Sequence, residues 1–274
     1  MNMPEVDMTL EVLVSCMEQK DFSLAEKLGI DSDALFINQC TYEKEERQQN
    51  GTYKLRMISA KDRGLSKSRN LAIQRAEGTV CLFCDDDVRL DSNYREKILN
   101  AFSENPQADI IIFYISGLGK RLKPQVYRLR YFDLLKVSSV QIAFRRNKVI
   151  SSGIQFDPFM GAGSGNGAQE ENKFLMDCYK KKLSIYYVPI KIGALIPKES
   201  TWFHGYDRNF FYLRGTATRH LLGLPLSLIY AFYYTIAKRK LYSHDISPLT
   251  ALRETIRGCF QNDIKRQKRL SVGE

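Results

Sequence analysis

Three adjacent carboxylates, Asp85, Asp86 and Asp87, close an apolar run that begins at Val80 and ends at Cys84. The chain around them is basic, with 41 Lys+Arg against 31 Asp+Glu and a net charge of +10. Two carboxylates about 6 Å apart repel by roughly 3 kcal/mol at an effective dielectric near 20. A hard divalent cation reverses that sign, and Mg2+ in proteins is typically held by one or two carboxylates together with substrate phosphates. The triplet therefore predicts either a metal–phosphate site or an acidic turn that caps a helix starting near Ser92. Lys61, Arg63, Lys67 and Arg69 lie upstream and offer charge-assisted contacts to phosphates; the alternative is a solvated helix face. Cys81 and Cys84 form a C-x-x-C, yet no second ligand pair stands at zinc-site spacing. The six cysteines, at 16, 40, 81, 84, 178 and 259, are scattered and read as buried, reduced thiols.

Side chains of this kind need a frame. Hydrophobic residues make up 44% and charged residues 26% of the 274, a composition that supports a packed core and excludes a disordered chain. Apolar runs at 9–15, 34–38, 53–59, 79–84 and 109–115 predict strands. Between them, 20–28, 65–76 and 92–103 predict helices. Beyond residue 117 the pattern loosens to a strand near 139–144, a Gly-rich loop at 161–167, a helix at 169–181 and a strand at 184–189. Strand–helix alternation of this spacing predicts an α/β sheet with substantial parallel pairing. In such sheets ligands bind beyond the carboxyl ends of the strands, where the acids after Cys84 would stand. No Pro/Gly/Ser-rich linker divides the chain.

The segment KDRGLSKSRNLAIQRAEGTVCLFCDDDV, residues 61–88, resembles the nucleotide-sugar-binding core of family 2 glycosyltransferases. The family's loop, helix, Gly and strand ending in a D-x-D motif find counterparts in Asp62, Gly64, Ser66, Ser68, Arg69, Asn70, Gly78 and Asp85–Asp87. FMGAGSGNGAQEENKFLMDCYKKKLSIYYVP, residues 159–189, looks like its Gly-rich acceptor loop followed by its E-D helix. STWFHGYD, residues 200–207, resembles a segment of bacterial surface-polysaccharide members. The likeness covers roughly residues 9–207. It implies a GT-A fold, a Rossmann-like three-layer α/β domain with a mixed central sheet, and sugar transfer from a nucleoside-diphosphate donor, commonly with Mg2+ or Mn2+. It also implies roles for individual residues. Asp85 would face the donor ribose or sugar, and Asp87 or Asp86 would hold the metal that bridges the diphosphate. Asp62, Arg69 and, after the first two strands, Ser15 and Asn38 would line the donor pocket. Here SCMEQKD replaces the family's Thr-Tyr-Asn-type stretch, and Asn38, Gln39 and Cys40 bring no acid for the nucleobase. Glu171, with Glu170 beside it, would be the general base of an inverting transfer. Acids in the first turn of a helix also favour its dipole without any catalysis. His204 is either a late metal ligand or a hydrogen-bonded neighbour of Trp202 and Tyr206.

The C-terminal quarter differs in character. Residues 202–274 carry 12 Lys+Arg against 5 Asp+Glu, so most of the net charge sits there. Residues 221–237 run 17 positions without a charge, between Arg219 and Lys238–Lys240. The run is short for a spanning helix, which needs about 20 apolar residues, and it contains Pro225. It predicts a basic, apolar helical region over 208–274, either docked at an anionic membrane surface or buried against the domain at 1–207. The N-terminal MNMPEVDMTLEVLV lacks a basic n-region and a small-residue cleavage site, so no signal peptide is expected. The expectation is a cytoplasmic enzyme, peripheral at the inner face of the plasma membrane. Its partners would be a UDP-type sugar and a glycan or polyprenyl-linked acceptor in surface polysaccharide synthesis. A sugar-phosphate nucleotidyltransferase is the alternative enzyme, but SCMEQKDFS lacks the Gly of that class's first loop. Neither GLGKRL nor GAGSGNG completes a dinucleotide fingerprint between strand and helix. A non-catalytic basic membrane-binding protein would explain the tail but not the acids, and no nucleic-acid-binding module is recognisable.

Overall fold

The computed structural model describes residues 8–119, 122–164, 169–197 and 205–261. Their contacts form two compact units. One comprises Met1–Arg63, Lys67–Phe156 and Phe174–Lys198; the other comprises Gly64–Ser66, Asp157–Lys173 and Glu199–Glu274. The boundary expected at 207 falls inside the last segment of the second unit, which also takes two pieces from earlier in the chain.

In the first unit the chain runs β1 (Leu10–Met17), α1 (Ser23–Leu28), β2 (Asp33–Gln39), β3 (Lys44–Asn50), β4 (Tyr53–Ala60) and α2 (Leu65–Arg75). It continues through β5 (Val80–Asp85), β6 (Val88–Leu90), α3 (Tyr94–Glu104), β7 (Ile110–Ser116) and β8 (Tyr127–Arg128). A 3-10 turn at Ser139–Gln141, β9 (Ile142–Arg145), α4 (Arg146–Ser152), α5 (Glu170–Lys180) and β10 (Ile185–Leu195) follow. The first residues of α2 and α5 fall in the second unit.

One mixed sheet orders the strands β3-β4-β2-β1-β5-β9-β7-β10-β6, with β8 beside β10. The central four, β4, β2, β1 and β5, are parallel. They read as apolar runs because both faces are covered. Val12, Val14, Phe36, Leu82 and Cys84 pack on α1 and α3 through Leu24, Leu28, Ile98 and Phe102. Residues of opposite parity face the other way. There Phe83 meets Phe144, Phe156 and Phe174, the last from α5. The result is the expected three-layer α/β arrangement with a mixed sheet.

Several elements differ from the sequence reading. β3, KEERQQN, has no apolar face. It pairs with β4 through the two-residue turn Gly51–Thr52, and its charges guard a sheet edge. The strand expected at 139–144 begins as the 3-10 turn, whose Ser138–Gln141 capping box holds it out of the ladder. β10 extends to Leu195, and its register breaks between Tyr187 and Gly193. Its second half pairs with β6, and Ile196 donates to the Asp87 carbonyl at 2.7 Å. The chain leaving the acid turn is thereby tied back to the sheet.

The second unit carries α6 (Arg208–Ala237), α7 (Arg239–Tyr242) and α8 (Pro248–Gln261). α6 is two helices joined at Gly223, whose φ of 77° lies outside the helical region. Asp207 caps its start by accepting from the Phe210 amide at 2.7 Å. α6 and α8 cross at two glycines, Gly215 and Gly258. Phe211, Tyr234 and Tyr242 form an aromatic core with Ala251.

Candidate donor and base sites

The carboxyl ends of the four parallel strands carry polar side chains: buried Ser59 on β4, Asn38 on β2 and Ser15 on β1, and half-buried Asp85 on β5. Ser15 and Asp85 are register partners on adjacent strands. Two consecutive residues of α2 reach one each. Ser68 Oγ donates to Ser15 Oγ at 2.9 Å, and Arg69 Nη2 donates to both Asp85 oxygens, at 3.0 and 3.1 Å. Ser139 closes the cluster. Its Oγ accepts from Arg69 Nη2 at 2.8 Å and donates to Asp85 Oδ2 at 3.3 Å. The Arg69 side chain is 2% exposed, the Asp85 side chain 28%. A buried guanidinium thus holds Asp85 fixed while leaving part of it open to a ligand. Arg69 also sits over the Phe156 ring, 5.5 Å from its centroid. Asn70 accepts from the Phe156 amide at 2.7 Å and donates to its carbonyl at 2.8 Å.

The other expected donor residues divide clearly. Asn38 spends its amide on the frame: it donates to the Gln19 carbonyl and to Ser59 Oγ, and accepts from the Gln19 amide. It shapes the loop after β1. Asp62 is exposed and paired with Lys67 at 3.4 Å, while Arg63 pairs with Glu18 at 2.6 Å. Of the four cations upstream of the acids, Arg69 alone is buried. Asp86 and Asp87 form the half-buried turn between β5 and β6. They are hard oxygen donors of the kind Mg2+ or Mn2+ takes beside phosphate oxygens. Among the described residues no group of three or more His, Cys, Asp or Glu could hold a metal unaided. Asp86 and Asp87 therefore do not make a closed protein cage for a cation. His204 and Trp202 lie outside the described residues.

Cys81 and Cys84 are three positions apart on one strand, so they point to opposite faces and cannot share a ligand. All six cysteines are buried and unbridged. Burial pushes Cys16 up to about 12 and Cys84 well above its ordinary value, the nearby Asp carboxylates adding to both shifts.

A cavity of about 850 Å3 lies elsewhere in the first unit, against α1 and the start of β2, with Phe22, Ile30, Tyr53 and Leu90 in its walls. Its lining includes Asp21, Glu26, Asp31 and Asp91 against one guanidinium, Arg89. None of Ser15, Arg69, Asp85, Asp86 or Asp87 lines the cavity.

In the second unit, Glu170 and Glu171 open α5. Glu170 is buried, with its carboxylate against Gly161, where a Cβ would stand 3.0 Å from the carboxyl carbon. Glu171 is half-buried. The Gly-rich segment before them is anchored at several points. Ser66 Oγ donates to the Met160 carbonyl at 2.7 Å, and the Leu65 amide donates to Ala162 at 3.0 Å. Gly163 packs on Gly64 so closely that a Cβ would stand 3.2 Å from its Cα. Asp157, almost fully buried, pairs with His220 of α6 at 2.8 Å and caps the Phe159 amide at 3.1 Å. Sequence reading missed Ser139, Asp157 and His220. None belongs to a recognisable spacing, and each is paired by the fold across 54 or more residues.

A three-layer mixed sheet whose central parallel strand ends in an Arg-clamped carboxylate turn defines a GT-A glycosyltransferase fold. Residues 31–163 match the family model for glycosyl transferase family 2. The chain is similar to S. aureus TarS residues 1–349 in complex with UDP-GlcNAc, at 13% identity and a TM-score of 0.59, over 97% of this chain and 93% of that one. The same protein in complex with UDP gives 12% identity, a TM-score of 0.56 and coverages of 96% and 92%. Without ligand it gives 13%, 0.55, 97% and 92%. These likenesses establish the fold. No protein of curated function matches the sequence.

Proposed function

We propose that the protein transfers a sugar from a UDP-type donor to an acceptor hydroxyl with inversion at the anomeric carbon. The observation that carries this is the carboxylate turn Asp85–Asp87 at the carboxyl end of β5, its first member fixed by Arg69 and Ser139. Asp85 accepts hydroxyls of the donor ribose or sugar. Asp86 and Asp87 would hold Mg2+ or Mn2+; when bound, such a cation neutralises charge on the leaving diphosphate. Glu171 takes the acceptor proton, since it is the more open of the two acids, while buried Glu170 shapes the segment around Gly161. The UDP-type donor is supported by the UDP and UDP-GlcNAc complexes of the similarly folded S. aureus TarS. The acceptor is a glycan or polyprenyl-linked saccharide of surface polysaccharide synthesis, and a lipid-linked one would place the enzyme at the inner face of the plasma membrane.

A panel of nucleotide sugars, each with and without Mn2+, tests this by thermal unfolding. At a hundredfold excess over Kd, the true donor stabilises by about 2.7 kcal/mol, roughly 5–10 °C for a chain of this size. Asp86→Asn with Asp87→Asn should abolish the metal-dependent part. Glu171→Gln should keep the shift and lose about 10²–10⁴-fold in turnover. No shift with any donor would overturn the reading.

A further inference from the structure

The part of α6 beyond Gly223 has its polarity reversed. Its inward side carries Ser227, Ala231, Tyr234 and Thr235, all buried. Ser227 and Thr235 satisfy their hydroxyls on the carbonyls of Leu224 and Ala231. Its outward side carries Leu226, Ile229, Tyr233 and Ile236, at i, i+3, i+7 and i+10, with Phe232 beside them. Ile229 is 65% and Ile236 74% exposed. Water-soluble helices normally show the opposite arrangement, and an exposed apolar stripe of this kind marks an interaction site. Lys238, Arg239 and Lys240 follow it directly, all exposed, and none makes a salt bridge among the described residues.

We propose that residues 224–240 form a docking face for an anionic bilayer. The helix would lie in the plane of the headgroups, with its apolar stripe down and the three cations on lipid phosphates. This deepens, and rests on, the reading that the acceptor is membrane-borne. Charge selects the occupant: a second copy of the chain would bring the same cationic cluster to the same face, whereas an anionic leaflet attracts it. Geometry selects the orientation. The whole of α6 is long and apolar enough to cross a membrane, but the break at Gly223 leaves about 21 Å of continuous helix to Ala237, short of a hydrocarbon core of about 30 Å. The half before Gly223 buries Thr216, Ala217 and Thr218 and packs on α8.

The test uses the full chain and co-sedimentation with vesicles of phosphatidylcholine, with and without about 30% phosphatidylglycerol. Binding should be at least tenfold stronger on the anionic vesicles and fall steeply in about 0.5 M NaCl. I229S with I236S should lower binding about tenfold or more on both. K238E with R239E and K240E should remove the anionic preference alone. All these residues are exposed, so the variants should keep the wild-type melting temperature. The proposal is overturned if the wild type ignores anionic vesicles, or if either variant binds as well as the wild type. It is equally overturned if velocity sedimentation shows a lipid-free dimer that I229S with I236S dissolves. Each protein is also assayed for the donor-induced thermal shift. A retained shift with no vesicle binding defeats this inference and spares the donor reading; vesicle binding with no shift from any donor does the reverse.

Discussion

Arg69 is the side chain on which the acid turn depends. It is almost fully buried, and a single nitrogen serves both oxygens of Asp85 and the hydroxyl of Ser139. Removing one partner of a buried charge pair costs about 3–5 kcal/mol, and the partial exposure of Asp85 puts this pair near the lower figure. Arg69→Met should therefore lower the melting temperature by about 6–12 °C and abolish donor-induced stabilisation. A variant that melts like wild type would show that Asp85 is held some other way. The cysteines make a second prediction. Cys16 is pushed from 9.0 up to about 12 by burial, with Asp86 adding, and burial also raises Cys84, Cys81 and Cys178. At pH 8 roughly one Cys16 in ten thousand is a thiolate, so iodoacetamide should leave the native enzyme unmodified and active. The unfolded chain ionises these thiols first, so stability should fall as pH rises from about 9 towards 12. A urea midpoint that holds constant over that window would contradict it. At this scale the sequence was readable where chemistry has a spacing. Asp85–Asp87 and Arg69 stood in a motif. Ser139 did not, because a lone hydroxyl on a 3-10 turn carries no pattern until the fold brings it to Asp85.

Elements were legible in proportion to their apolar periodicity. β1, β2, β4, β5 and β7 are runs of mostly buried side chains and match the expected strands to within two residues at every end. β3 and β6 escaped notice for opposite reasons. β3 has no buried face to produce alternation, and β6 has three residues, too few to show one. The glycines tell a similar story, since their meaning depends on what packs against them. A Cβ at Gly78 would stand 2.7 Å from that of Glu11, whose carboxylate accepts the Gly78 amide at 2.9 Å and pairs with Arg56 at 2.6 Å. Gly258 is tighter still, its missing side chain overlapping the Tyr212 carbonyl. Gly258→Ala forces α6 and α8 apart. Overpacking of this kind costs about 1–3 kcal/mol, and amide exchange in residues 248–261 should speed up accordingly. Unchanged exchange there would mean that the helix pair gives way freely.

The molecule as a whole is divided by contact and not by sequence. A reading along the chain places a boundary at 207, yet the segment bearing Glu170 and Glu171 shares a compact unit with α6, α7 and α8. The ties are specific. Asp157 of that segment is held by His220 of α6, and Ser66 and Leu65 are bonded to Met160 and Ala162. Periodicity cannot show such an arrangement, because the joining residues are 63 and 94 positions apart. On the proposed function the donor and base roles fall in different units, which a truncation can expose. The sheet, Arg69 and the acid turn all belong to the first unit, so a chain ending at Asp207 should still be stabilised by its nucleotide sugar and Mn2+. Its base segment, however, loses His220, and turnover should fall by about a hundredfold or more. His220→Asn in the full chain keeps a hydrogen-bonding amide but not the imidazole's reach. It should fall between the two, with a melting temperature close to wild type and turnover down by about tenfold. If the shortened chain turned over at the wild-type rate, the acids that open α5 would owe nothing to the C-terminal helices, and the general base would have to be sought within the first unit.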